Sequence, residues 1–234
     1  MKKTVHFVVC MFVLNMAAHG QSYPINLSEL SEQELIFTMS SGRDSLGYSK
    51  ITITHTNSKW SVSEKAHLKS SFELEEEMTT YLNDQLSWDS VYVKGAFNVT
   101  KAFQSFSKVS GIRLIAESNY NQLFGKEYSS LDTTLRAPAV ERLSSLFLFP
   151  TLIDFTQKGH YQYWQFNPTD CEFRLVTVTK TSDQIIDTSK GEVETYRLEF
   201  AGGVAEQVLF ISKTSPRKIV RIEFKDSDWV YTLN

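Results

Sequence analysis

The chain has 234 residues, 41% of them hydrophobic, and 24 Lys and Arg against 27 Asp and Glu give a formal charge of −3. That length and composition suit one folded domain with a sizeable core, and the acidic balance offers no electrostatic footprint for nucleic acid, whose binders gather Lys and Arg on one face. With only Cys10 and Cys171, no network of disulfides is available to staple the fold.

The first twenty residues, MKKTVHFVVCMFVLNMAAHG, read as an export signal: Lys2 and Lys3 form a charged start, Val5 to Ala18 an apolar stretch, and Ala18-His19-Gly20 a small-x-small cleavage site. The apolar stretch is interrupted by His6 and Asn15 and falls short of the roughly 20 apolar residues a spanning helix needs. The expectation is therefore a soluble exported protein, periplasmic or secreted and not membrane-spanning. It is cut near Gly20, and residues 21–234 form a single domain. Phe7, Val8 and Val9 precede Cys10 where a lipidated cysteine would want small residues.

After a polar lead-in from Gln21 to Gln33, period-two alternation dominates, as in strands with one wet face. Ile51 and Ile53 alternate with Thr52 and Thr54, and Trp60, Val62, Ala66 and Leu68 alternate with Ser61, Ser63, Lys65 and His67. A two-residue turn at Asn57-Ser58 sets Ile53 opposite Val62, Thr54 opposite Ser61 and His55 opposite Trp60, so that apolar meets apolar. Further strands are predicted over Phe72–Tyr81, Ser87–Phe97 and about Ile112–Glu117. The last third adds Tyr161–Phe166, Phe173–Lys180, Glu194–Phe200, Gln207–Ser212, Lys218–Phe224 and Trp229–Leu233. One segment breaks the period. Val140, Leu143, Leu146 and Phe147 recur at three- and four-residue spacing between Pro138 and Pro150, which predicts one amphipathic helix over Pro138–Phe149. The fold class that follows is α+β, mainly antiparallel β: a curved half-barrel sheet with one main helix across its concave side.

The runs GEVETYRLEF (Gly191–Phe200), VLFIS (Val208–Ser212) and TSPRKIVRIEF (Thr214–Phe224) resemble the closing strands of an uncharacterised exported bacterial family, DUF3108, whose half-barrel is similar to that of the lipoprotein carriers LolA and LolB. RDSLG at Arg43–Gly47 with the hairpin after it, and the helix over Ala137–Pro150, resemble the start and the helix of that domain. The resemblance spans about Leu35 to Leu233 and implies a concavity that holds an acyl chain in the wider fold. It brings no catalytic residues and no cofactor.

The candidate lining of such a pocket is Ile51, Ile53, Trp60 and Val62 from the hairpin, with Leu143, Phe147 and Phe149 from the helix. Plain core packing is the competing reading of the same residues. Glu64 falls on the apolar side of its strand, so its carboxylate must be paired, displaced by a bulge or, as expected here, placed at a rim where it orients a polar ligand head.

Among mature histidines, His67 faces Tyr48 and lies on the opposite side of the strand pair from His55, so no metal site is expected. The run Glu73, Glu75, Glu76, Glu77 reads as a solvated face that protects a strand edge, with Glu76 pointing opposite to the other three. Cys171 lies between Asp170 and Glu172, whose charges disfavour a reactive thiolate. No nucleophile elbow, paired-histidine zinc motif or phosphate-binding glycine loop occurs.

Three function classes remain: an envelope binding module for an apolar or lipid-like ligand, an envelope scaffold that holds a protein partner, and an enzyme with an unrecognised site. An open apolar cavity, exposed aromatic residues outside the core, and convergent interior polar groups discriminate among them in that order.

Overall fold

The computed structural model describes residues 25–136, 138–155 and 159–234, so the expected export signal, with Cys10, lies outside the described residues. Fifteen strands are found among the described residues: β1 Gln33–Ser41, β2 Asp44–Thr56, β3 Lys59–Lys69, β4 Glu73–Leu82, β5 Trp88–Phe97, β6 Lys101–Ser110, β7 Arg113–Ser118 and β8 Ser129–Thr134 make the first arm. β9 Ala139–Glu141, β10 His160–Asn167, β11 Glu172–Thr188, β12 Gly191–Gly202, β13 Gln207–Ser212, β14 Ile219–Phe224 and β15 Trp229–Leu233 make the second. All belong to one large open, curved sheet, in which β8 to β1 follow one another in reverse chain order and β1 then meets β15, from which the order runs back to β9. Each arm is a meander of antiparallel neighbours, apart from the parallel β9–β10 pair. Five residue pairs, from Phe37 opposite Leu233 to Ser41 opposite Trp229, join the arms.

The β2–β3 hairpin has the predicted register, with Ile53 opposite Val62, Thr54 opposite Ser61 and His55 opposite Trp60. Asn57 and Ser58 both adopt positive φ (51° and 56°), the pattern of a type I′ turn whose twist matches that of the strands it joins. Four register shifts, in β1 at Met39/Ser40, in β4 at Tyr81/Leu82, in β11 at Lys180/Ser182 and in β13 at Phe210/Ile211, add local bends to the ordinary twist. The outcome is a sheet that curls until its arms touch. Trp88 of β5 stacks on Phe166 of β10 with centroids 5.3 Å apart, and its indole N–H donates to the Ala139 carbonyl at 3.0 Å, although these strands stand far apart in the strand order. Ser105 and Ser118 of the first arm likewise donate to the Pro168 and Thr169 carbonyls of the second.

The segment predicted as one helix over Pro138–Phe149 is divided. Ala139–Glu141 form the short β9, helix α1 spans Arg142–Phe147, and helix α2 spans Phe149–Leu152. Pro150 was expected to end the helix, but it occupies the first turn of α2, where a missing N–H costs nothing because that donor would be orphaned anyway. Leu143 and Phe147 are fully buried, and the Phe147 ring meets Phe37 of β1 at 5.9 Å. β4 also corrects an expectation. It is an interior strand between β3 and β5, so its glutamates guard no edge; on the solvent face Glu77 pairs with Lys65 and Lys94 from its two neighbours. No helix among the described residues is long and apolar enough to cross a membrane.

Phe37 sits at the join of the arms, against Phe147 and Tyr231. Phe37→Ala is expected to cost about 3–5 kcal/mol through lost transfer energy and a cavity, while Thr54→Ala on the solvent face of β2 costs about 0.5 kcal/mol. Denaturant melts of the two variants check this; equal losses contradict the assignment of faces.

Candidate functional site: a polar cluster in an apolar cavity

A cavity of about 240 Å³ lies on the core side of the sheet where β3, β4, α1 and the end of β15 come together. Its apolar wall includes Met39, Leu74, Leu146, Phe200, Phe224 and Trp229. Into this wall are set Glu64 of β3, Glu76 of β4 and Arg142 of α1, with Tyr120, Gln165 and Tyr231 nearby. The two glutamates arrive by simple alternation. Glu64 follows Val62 on the core face, Glu76 lies between Leu74 and Met78, and the β3–β4 register places Ala66 opposite Glu76 and Glu64 opposite Met78.

Arg142 is the first residue of α1, a position where the positive end of the helix dipole disfavours a cation. Its position is explained by its partners. The side chain of Glu141, fully buried, caps α1 by accepting from the Leu143 and Ser144 amides at 2.6 and 2.5 Å. The Arg142 guanidinium donates to Glu76 Oε1 at 2.5 Å. Burial alone would lower the Arg142 pKa, but the neighbouring Glu76 and Glu64 carboxylates outweigh it and the net shift is upward. Glu76 is 9% exposed and Glu64 8%. Glu64 accepts a hydrogen bond from Ser49 Oγ at 2.7 Å. Burial, reinforced by the Glu76 charge, pushes Glu64 up to about 7 against the opposing effects of Ser49 and Arg142. Burial and the same carboxylates also push the Tyr231 and Tyr120 hydroxyls upward, with Glu64 the main charge on Tyr231 and Glu76 on Tyr120.

Of the residues predicted to line a pocket, Glu64 and Leu143 lie on this cavity. Ile51, Ile53, Val62 and Phe147 are completely buried in the main core and Phe149 nearly so, while Trp60 is half-buried beside the turn with its ring stacked on His55 at 4.6 Å. Glu64 was expected at a rim and is instead buried and hydrogen-bonded. Ser49, Glu76, Arg142 and Tyr231 were not singled out from the sequence as members of a site. Their signal was the second inward glutamate on the neighbouring strand, which shares the apolar face with Glu64 and therefore requires a buried partner.

Elsewhere, His67 faces Tyr48 and lies 3.0 Å from Glu73, and no group of three metal-ligating side chains occurs among the described residues. Cys171 is buried, and burial with the Asp170 and Glu117 charges pushes its thiol up to about 11. A separate depression of about 390 Å³ lies on the solvent face of β4–β7, lined in part by Tyr92, Phe106, Lys94, Gln104 and Tyr128. There Tyr92 is 50% exposed and packs 4.9 Å from Phe106 and 6.2 Å from Tyr81.

The buried Glu64 carboxyl makes stability depend on pH. Unfolded, it titrates near an ordinary glutamate value of about 4.3; folded, it holds its proton up to about 7. The folded state binds more protons between these values, so the stability this group contributes is complete below the lower one and is lost as pH rises through the upper one. Relative to wild type, Glu64→Gln is expected to gain up to about 3 kcal/mol across that window and to stay level above it. Parallel denaturant titrations from pH 4 to 8 measure the difference, and a flat profile contradicts a buried titrating carboxyl.

No protein family matches the chain, and no curated protein does. A crystal structure of a β-barrel-like protein from Brucella abortus, belonging to a domain of unknown function, DUF1849, is similar to it with a TM-score of 0.59 at 8% identity, over 88% of this chain and 96% of that one. At that identity the likeness is one of fold: this chain has a β-barrel-like architecture shared with an uncharacterised protein.

Proposed function

We propose that the protein is an exported binding module of the cell envelope whose core-side cavity takes a compact apolar or lipid-like ligand with a polar end. The observation that carries this is the meeting of an apolar wall with Glu64, Glu76 and Arg142 in a single cavity. Such a combination, a mostly apolar lining with a few fixed polar groups, is what ligand pockets use for affinity and orientation respectively. The barrel-like neighbour, itself of unknown function, supports the architecture alone; the lipid-like ligand draws only on the sequence resemblance to the LolA/LolB-type half-barrel, which no family model matches. The cavity volume limits it. At about 240 Å³ it falls below the roughly 300–1,000 Å³ of drug-sized sites, so the ligand is a short chain or one part of a larger lipid.

A neutral fluorescent alkyl probe is expected to bind saturably with micromolar affinity, about 8 kcal/mol. Leu146→Asp, which adds a carboxylate to the cavity wall, should abolish binding while the variant still melts cooperatively. Tyr92→Ala on the solvent face should leave binding intact. Absence of saturable binding by wild type defeats the reading.

The scaffold alternative is favoured by one observation, the exposed Tyr81 and Tyr92 backed by the half-buried Phe106, since tyrosines, which present both an apolar ring and a polar tip, are enriched at protein interfaces. Both readings share the export step. Intact-mass measurement of the exported protein is expected to give a chain beginning at or near Gln21 without lipid, and a retained leader contradicts it.

A further inference from the structure

We propose that the cavity selects ligands with a cationic, amine-type head over neutral or anionic ones, with Glu64 as the group that receives the cation. This rests on the binding-module reading and adds the charge class of the ligand.

The charges within the cavity do not balance. Two carboxylates, Glu64 and Glu76, share the wall with one guanidinium, and Arg142 is committed to Glu76 through a direct hydrogen bond. Glu64 has the neutral Ser49 hydroxyl of β2 as its bonded partner. The other titratable groups that face it are Glu76 from β4, Arg142 from α1 and Tyr231 from β15. Of these, Tyr231 is neutral at physiological pH and Glu76 is repulsive. The only attractive charge is thus already paired, and an ammonium brought to Glu64 supplies the missing counter-charge.

The surrounding walls agree with this choice. Tyr231, Trp229, Phe224 and Phe200 line the same cavity, and aromatic faces attract a cation most strongly where water is excluded. A carboxylate or phosphate head would instead face two carboxylates with one cation already engaged, which is discrimination by repulsion. A neutral alcohol neither gains the pair nor suffers the repulsion. Without a ligand, Glu64 avoids the cost of an unpaired buried charge by holding its proton near neutrality, so binding an amine must release that proton. Amine affinity is therefore reduced by the fraction of Glu64 that is protonated.

The test is calorimetric titration of the purified protein with octylamine, octanol and octanoate at pH 8. Octylamine should bind at least about tenfold more tightly than octanol, and octanoate most weakly. Between pH 8 and pH 6 the octylamine affinity should fall about tenfold as Glu64 takes up its proton, while octanol affinity stays level. Glu64→Gln should remove both the amine preference and its pH dependence. The inference is overturned if wild type binds octanol as tightly as octylamine, an outcome that needs no variant, or if Glu64→Gln keeps the preference. If octanol and octylamine both fail to bind saturably, the binding-module reading falls with it.

Discussion

The pairing of β1 with β15 is the constraint on which the structure depends. Elsewhere almost every strand lies against its neighbour in sequence, so each hairpin closes a short loop and can form locally. The five pairs between Phe37–Ser41 and Trp229–Leu233 instead close nearly the whole chain. Loop-closure entropy rises only slowly with length, so the cost of that joint is modest in equilibrium but makes it a late, non-local event in folding. Once made, it sets Phe37 between Tyr231 and Phe147, which connects both arms and α1 through one aromatic cluster.

The same joint places the polar cluster. Tyr231 arrives from the second arm, Glu64 and Glu76 from the first, and Arg142 from the helix that follows β9, so the cavity exists only when the sheet is joined and curled. Buried ion pairs are weak stabilisers, because desolvation consumes most of the Coulombic gain. Glu76–Arg142 is therefore a poor candidate for holding the fold together and a better one for fixing the electrostatics of the cavity. Glu141 belongs to the same construction: by capping α1 it fixes the start of the helix that carries Arg142.

Much of the fold was legible in the sequence wherever alternation was clean. The β2–β3 register followed from Ile53 and Val62 meeting across a two-residue turn, and β13 and β15 were bounded correctly by their flanking turn residues. β1, β6 and β8 were missed: in Gln33–Ser41 the unbroken apolar run Leu35-Ile36-Phe37 masks the alternation, while Lys101–Ser110 and Ser129–Thr134 are rich in Ser, Thr and charged residues, and the inward Ser105 of β6 finds its partner only on the other arm. The helix was misjudged for a related reason: three- and four-residue spacing cannot reveal that Ala139–Glu141 pairs with β10, a contact set by tertiary position alone. For the site, alternation correctly turned Glu64 and Glu76 inward, but Arg142, the partner of Glu76, lies 66 residues from it along the chain and has no periodic signal of its own.

Cys171 occupies the tight connection between β10 and β11, beside the Pro168 and Thr169 carbonyls that accept from the opposite arm. Its depressed acidity leaves only about a thousandth of it as thiolate at pH 8, and its burial shields even that fraction from electrophiles. Alkylation of this sulfur is therefore slow for as long as the connection stays covered. Cys171 is thus a built-in reporter placed in the same turn that receives the Ser105 and Ser118 hydroxyls, and its rate of labelling reads how well that turn is covered without any engineered probe.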